Sequence, residues 1–394
     1  MGRNAGKGGR VKIVYFSQES WSAEEKQRPL LRYQEKELSH RMLNSVKIKG
    51  RQVREQLGRP PLFMEVCGTH TMAFSRTGLR KNMEGIVELH SGPGCPVCVT
   101  GQLDIDKMIA LAREKEVLLG TFGDMLRVPG TYSSLEREKA AGSNVEIFYS
   151  PSDAVEQARK YPSKEVVFIG IGFETTAPAV ALAIAEAKEK GVENFSLFSL
   201  HKLVPPALQA LLNSEEIRID GFILPGHVCA VIGRKGFDFL SRDHFIPAVV
   251  TGFEPLDLVG SIDNLLDQLQ EGTCRVNNNY TRVVREEGNP VAQQVIKDYY
   301  KVEDASWRGL GNIPSSGLVL KEEFKSFDAA QEFNIEVSSS SFSSTGCSCG
   351  RVLAGRINPP ECALFSEECT PAAPQGPCMV SSEGACAAYY YYEA

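Results

Sequence analysis

The stretch EVVFIGIGFETTAPAVALAIAEAKEKGVENFSLFSLHKLVPPALQALLN, residues 165–213, decides the fold class. It passes twice from a short apolar run to an amphipathic segment: EVVFIGIG before APAVALAIAEAKEKG, then NFSLFSL before PPALQALLN. Runs of the first kind read as strands and those of the second as helices. Pro206 sits where the first residue of a helix belongs, as do Pro178 and Pro255. Strand–helix alternation of this sort predicts βαβ units and a parallel sheet.

The same beat runs outward from there. Upstream, from Pro61, come LFMEV and a loop, GIVELH followed by a loop and IDKMIALAREK, and EVLLGTF followed by GDMLRVPG. Downstream come GFILPG and IPAVVTG, the latter leading into PLDLVGSIDNLLDQLQ. Gly172-Phe173-Glu174 and Gly252-Phe253-Glu254 repeat one tripeptide, each after a strand. Residues 21–58 are charge-rich and helix-permissive, and SSSSFSST at 338–345 reads as a hinge into a tail with little periodicity. Ligation rather than an apolar core would have to hold such a tail together.

At 394 residues the chain is long enough for two or three domains, and its 42% hydrophobic and 23% charged content is that of a soluble globular protein. A net charge of −6 gives no nucleic-acid footprint. No apolar run approaches the roughly 20 residues of a membrane span. The N-terminal MGRNAGKGGR is basic but has no apolar segment behind it, so no signal peptide is read and a cytoplasmic location is expected. In that compartment cysteines are metal ligands or catalytic thiols more often than structural disulfides.

Six of the eleven cysteines lie between Cys347 and Cys386. Soft thiolates select zinc, copper(I) or iron–sulfur clusters. Zinc sites usually come as paired knuckles, whereas here the one close pair is Cys347-Ser348-Cys349 and the later gaps widen to twelve, six, eight and seven residues. Six sulfurs also exceed the four that one zinc or one cubane takes, and the surplus points to redox chemistry.

Ligands of open α/β sheets bind beyond the carboxyl ends of the strands, so polar residues that follow apolar runs carry most weight. Cys67-Gly68-Thr69-His70-Thr71 follows LFMEV. A helix beginning at Thr71 would lower the Cys67 pKa, and His70 would orient or deprotonate the thiol. The plainer alternative is a buried cysteine beside a satisfied histidine. Ser91-Gly92-Pro93-Gly94-Cys95-Pro96-Val97-Cys98 places a C-x-x-C at a helix start, a redox dithiol or metal half-site close enough to bridge. Gly170 to Pro178 has only the first two glycines of G-x-G-x-x-G, and Glu174 would set a negative charge where a phosphate belongs. That loop is therefore not a nucleotide site, and Thr175 or Thr176 as a helix cap is its plainer role. His201 and His227 also stand at strand ends, each readable as a structural histidine, and Cys229 and Cys274 are assigned to packing.

Taken together, MEVCGTHT (64–71), SGPGCPVC (91–98), GFETTAP (172–178), LPGHV (224–228) and the tail CGRVLAG…C…CTP…GPCMVSSEGAC (349–386) resemble the hydrogenase maturation factor HypD family, from about residue 20 to the end. The resemblance implies a role in building the Fe(CN)2CO unit of [NiFe]-hydrogenases, with a HypC-type small chaperone and a HypE-type cyanide donor as partners and the hydrogenase large subunit as an indirect one. It implies two Rossmann-like parallel-sheet domains and a small Cys-rich [4Fe-4S] C-terminal domain packed with the N-terminal helices. The expected organisation is a flexible extension over 1–20, a helical segment over 21–58 packing on the C-terminal domain, α/β domains over 59–150 and 151–335, and the iron–sulfur domain over 336–394. Carried over by motif, Cys67 is the iron-binding thiolate for transient Fe(CN)2CO, Cys95 and Cys98 are the redox pair, and His70 and Glu174 line the cleft. The C-x-C start of the tail also resembles ferredoxin:thioredoxin reductase. By that analogy Cys347, Cys362, Cys369 and Cys386 hold the cluster, with Cys349 and Cys378 as the adjacent redox pair. Exchanging Cys347 with Cys349, or Cys386 with Cys378, is the other assignment open to the spacing. A general iron–sulfur thiol–disulfide oxidoreductase is the alternative function, and a zinc-stabilised interaction module a third.

Overall fold

The computed structural model of the chain describes residues 23–213, 218–333, 335, 337 and 346–393. The expected extension over 1–20 and the hinge at 338–345 lie outside the described residues.

Among those residues two parallel sheets dominate. The first has five strands in the order β10-β9-β8-β1-β2, where β1 is Leu62–Glu65, β2 Glu88–Ser91, β8 Gly221–Pro225, β9 Ala248–Thr251 and β10 Val276–Asn278. The second has four, β4-β3-β5-β6, from Val117–Thr121 (β3), Val145–Ile147 (β4), Glu165–Gly170 (β5) and Phe195–Ser199 (β6). Every pair within both sheets is parallel. VLLGT of β3 and GFILP of β8 are buried at every position. Such unbroken apolar runs belong to parallel strands covered on both faces.

The helices between them follow local signals. Ala177–Lys190 ends at Gly191, whose φ of 63° closes the helix in the left-handed conformation a side chain would resist. Pro255 opens the helix Pro255–Glu271 as expected. The helix Val204–Leu212 instead starts two residues ahead of Pro206.

Sheet membership corrects the expected division at residue 150. The five-stranded sheet takes β1 and β2 from near the start of the chain and β8 to β10 from beyond residue 220, and the intervening segment forms the four-stranded sheet. Two sequential α/β domains cannot have this strand order. A third, antiparallel sheet, not foreseen from the sequence, joins Tyr300–Trp307 (β11), Gly311–Leu320 (β12) and His201–Lys202 (β7).

The placement of the long helix Ala23–Leu57 is a second correction. Its Val46 and Val53 pack with Phe63, Leu258, Val259 and Ile262 on the outer face of the five-stranded sheet. Lys49 pairs with Asp263 and Asp267 at 2.8 and 2.7 Å. Thus the described side chains of this helix lie on the sheet's own helical layer, and the expected seat on the C-terminal region is not where they are found. That region is made of short helices, Cys349–Leu353, Pro377–Val380 and Ala385–Tyr392, and it packs on the helices Gly68–Arg76 and Pro96–Val99 that follow β1 and β2. Arg80 ties the two parts, meeting buried Glu65 of β1 and, at 3.0 Å, Glu393. Among the described residues no helix is long and apolar enough to cross a membrane.

Candidate functional site

In each parallel sheet the strand order reverses once, between β1 and β8 in the first and between β3 and β5 in the second. The crevice at such a reversal, beyond the carboxyl ends of the strands, is where open α/β sheets bind ligands. Here the two crevices face each other across a cavity of about 300 Å3. Cys67 follows β1, His227 follows β8, Phe122 follows β3 and Gly172 follows β5, and all four line it. Gly94 and Pro96 of the C-x-x-C loop and Glu383 of the tail complete the wall.

Cys67 is the N-cap of the helix Gly68–Arg76 and is 8% exposed. The helix therefore starts at Gly68, ahead of the expected Thr71. The thiol is pushed up to about 11, first by burial and then by the Glu383 carboxylate, against which the Thr69 and His70 backbone N–H groups and the Thr69 hydroxyl work. The expected lowering by the helix terminus is thus outweighed, because desolvation of the anion exceeds what a few N–H dipoles return. Nor does the His70 imidazole serve the thiol. Fully buried, it places Nε2 3.0 Å from the Gly252 carbonyl and stacks on Phe253 at 4.6 Å, and burial lowers its pKa to about 4. Phe253 stacks in turn on His227 at 4.1 Å. His227 is the histidine of this stack that reaches the cavity.

The C-x-x-C loop is locked to the same place. The Gly68 N–H donates to Gly94 O at 3.0 Å, and a Cβ on Gly94 would stand 2.2 Å from the Cys67 nitrogen. Only glycine allows that approach. Cys95 caps the helix Pro96–Val99 and forms a disulfide with Cys98, their Cα atoms 5.2 Å apart.

The tail reaches this site at two points. Thr69 donates to Glu383 at 2.5 Å, and Ser381 donates to Asp124, just past β3, at 3.1 Å. Behind them the sulfurs crowd together. Cys378 meets both Cys349 and Cys386, Cys347 meets Cys349, and Cys369 lies within electrostatic reach of Cys347 and Cys349. Backbone N–H groups also face this sulfur, Gln375 to Cys369 at 3.3 Å and Cys378 to Cys349 at 3.4 Å. Cys386 is held low, to about 6, by hydrogen bonds from Cys349 and Cys378. Cys362 is buried but shares none of these sulfur contacts among the described residues. The helices beginning at Cys349 and Pro377 both pack on Pro96–Val99, and the Pro377 carbonyl is 3.8 Å from Cys98 Sγ. Cys95, Cys98, Cys349, Cys369, Cys378 and Cys386 belong to one buried core.

As a donor set this crowd suits a soft metal or a cluster: thiols, backbone N–H donors to sulfur, and Gly376, where a Cβ would stand 2.5 Å from Cys347 Sγ. Among the described residues no three groups of the metal-ligating types converge on one point. The sulfurs contact one another instead.

Glu174 is 2% exposed and does not line the cavity. Its Oε1 accepts the Val204 N–H at 3.0 Å, capping the next helix, its Oε2 has no partner among the described residues, and burial raises it to about 7. Thr176, not Thr175, takes the N-cap position of its own helix, and its hydroxyl turns back to Ile171 O and Phe173 O. His201 is buried, its Nδ1 3.1 Å from the Ser199 hydroxyl. Cys229, expected in packing, is buried within electrostatic reach of Glu174 and Cys67. Cys274, also expected in packing, is exposed. Cys229 is thus in packing as expected, whereas Glu383 escapes sequence reasoning because nothing in its local sequence signals a site. Only the tertiary approach of the tail brings it there.

Comparison with known proteins agrees with the motifs. A family model named HypD, described as the Hydrogenase formation hypA family, matches residues 42–393. The chain is 46% identical over 338 residues to the hydrogenase maturation factor HypD of Rhodobacter capsulatus, covering 85% of this chain and 90% of that protein. To the protein of the same name in Escherichia coli it is 44% identical over 335 residues, covering 85% and 90%. With that of Cupriavidus necator the identity is 41% over 368 residues, covering 91% and 96%.

Proposed function

The chain belongs to the HypD family of hydrogenase maturation factors, and from that premise we propose that it is the scaffold on which the Fe(CN)2CO unit of a [NiFe]-hydrogenase is assembled. The observation that carries this reading is the convergence of both sheets' strand-reversal crevices, the Cys95–Cys98 loop and the tail on one cavity at Cys67. A scaffold of this kind needs a sulfur ligand for iron, space for the iron and its diatomic ligands, and a redox group beside it.

Cys67 takes the iron of the cargo. Its thiol is protonated at neutral pH, so binding a soft dication releases that proton. Thr69 holds Glu383, and with it the tail, against this loop. Cys349 and Cys378 exchange with the Cys95–Cys98 disulfide. One thiolate attacks a disulfide sulfur, the second resolves the mixed disulfide, and Cys95 and Cys98 gain the two electrons and two protons that Cys349 and Cys378 lose. Cys347, Cys362, Cys369 and Cys386 would hold the resident [4Fe-4S] cluster. When bound, that cluster supplies electrons one at a time. The partners on this reading are a HypC-type chaperone sharing the iron at Cys67, a HypE-type cyanide donor and, indirectly, the hydrogenase large subunit, all in the cytoplasm.

The test is anaerobic co-expression with those partners, followed by infrared spectroscopy and iron and sulfide analysis. Cyanide and CO bands are expected from the wild-type complex and none from Cys67→Ala. Full bands and full hydrogenase maturation with Cys67→Ala would remove Cys67 from the iron site. The Cys95–Cys98 disulfide also suits a general thiol–disulfide oxidoreductase. Reduction of unrelated disulfides without any iron–diatomic adduct would establish that function in place of the scaffold.

A further inference from the structure

Where the β11–β12 hairpin turns, it presses on both thiol regions at once. On one side Trp307 bridges to Thr100, and the Arg308 backbone N–H donates to Val99 O at 2.8 Å. On the other, Gly309 lies against Gly350, so close that a Cβ on Gly309 would stand 2.3 Å from the Gly350 Cα. Gly309 also has a φ of 82°, so a side chain there would be strained twice over.

The Arg308 side chain occupies this junction. Nε donates to Thr100 O at 3.1 Å and Nη1 to the Gln102 side chain at 2.9 Å. Val99 O and Thr100 O are carbonyls at the end of the helix that Cys95 begins, where a cation is favoured. The remaining nitrogen, Nη2, is buried and has no partner among the described residues. A buried guanidinium N–H left unpaired costs free energy, so its retention calls for an acceptor. No tail sulfur lies within hydrogen-bonding distance of Nη2 among the described residues, but the guanidinium is within electrostatic reach of Cys347, so an anionic group carried on the tail thiols is the acceptor within its reach.

We propose that Arg308 is a positioning residue that clamps the end of the Cys95–Cys98 helix to the Cys347–Gly350 turn and gives its unused N–H to the anionic sulfur group of the tail. The donor half rests on the cluster reading above. The clamp half does not. Partners of this outer kind orient ligands and tune the group they hold, and their loss typically costs 10–100-fold in metal affinity.

Two variants, Arg308→Gln and Arg308→Lys, test it on the full chain purified anaerobically. With Arg308→Gln, amide hydrogen exchange is expected to speed up in residues 96–102 and 346–353 together. Iron should be lost to a chelator on the order of tenfold faster or more. The midpoint potential of the iron–sulfur group should also move to lower values, because reduction adds negative charge that the arginine no longer offsets. Arg308→Lys retains the charge, so it should stay near the wild-type potential while still loosening residues 96–102. Faster exchange confined to residues 300–320 would overturn the clamp. Wild-type iron content with an unmoved potential in Arg308→Gln would overturn the donor role. A wild-type protein that holds neither iron nor sulfide would sink the cluster reading and the donor role together, and the exchange experiment would still decide the clamp.

Discussion

Gly172-Phe173-Glu174 and Gly252-Phe253-Glu254 are the same three residues after parallel strands of different sheets, and the structure uses them in opposite ways. Glu174 is buried, caps the helix that starts at Val204, and is raised to about 7 by desolvation. Glu254 is exposed and caps its own helix, in a reciprocal pair with Asp257. The difference comes from position in the sheet. β5 stands beside the strand-order reversal and delivers its loop to the closed space between the sheets, while β9 lies one strand away from the reversal in its sheet. A tripeptide thus acquires a role from the crevice it enters.

The two loops part most sharply at the glycines. Gly172 has a φ of 153°, and a Cβ there would lie 1.6 Å from Thr176 Oγ1. At Gly252, where φ is not in the left-handed region, the nearest atoms are the Asp257 carboxylate, at 2.2 Å, and the Tyr280 ring, both of them side-chain atoms. Gly172→Ala should cost about 4 kcal/mol and Gly252→Ala about 1.5 kcal/mol, as read from urea midpoints. Equal costs would mean the two loops are equally constrained.

The next largest effect is a pH dependence. The folded pKa of Glu174, about 7, exceeds the ordinary glutamate value of 4.5. Between those values the unfolded chain gives up the proton that the folded chain keeps, so stability is fully present below about 4.5 and falls as pH rises to about 7. Glu174→Gln keeps an acceptor for the Val204 N–H and loses the titration. It should be more stable than the wild type by up to about 3 kcal/mol at pH 8, with no such gain at pH 4. Superimposable pH profiles for the two proteins would show that Glu174 is not desolvated in solution. The burial of His70 acts in the reverse sense, removing stability as pH falls from 6.5 toward about 4. A His70→Gln chain, compared with wild type at pH 4.5 and pH 7.5, should therefore gain relative stability at the lower pH.

The smallest effect is at Glu254. Its truncation to alanine removes a cap from an exposed helix end and should cost about 1 kcal/mol. A loss of several kcal/mol would put the exposed loop under the same constraint as the buried one.

Much of this is legible in the sequence, and what is not shares one physical cause. Apolar runs such as VLLGT and GFILP announce buried parallel strands, and the motif cysteines Cys67, Cys95 and Cys98 mark the loops after β1 and β2 that meet at the cavity. Strand partners are not legible, because periodicity says that a segment is a strand but not which strand it joins. For the same reason the return of β8 to β1 looks, in sequence, like a second domain. The direction of the Cys67 shift is hidden on similar grounds. A helix N-terminus is visible in sequence, whereas burial and the arrival of Glu383 are not. In the tail, spacing cannot tell that Cys349 and Cys378 touch while Cys362 stands apart.

Interleaving of the sheets also has a consequence for how the molecule is made. All four strands from β3 to β6 emerge from the ribosome one after another and can pair as they appear. Phe63 of β1 must wait for Gly221, and Thr69 must wait for Glu383, 314 residues further along the chain. Long-range pairings of this kind form late. The pocket around Cys67 is therefore among the last parts of the protein to form, and a chain still being synthesised has the Cys67 thiol but not the walls around it.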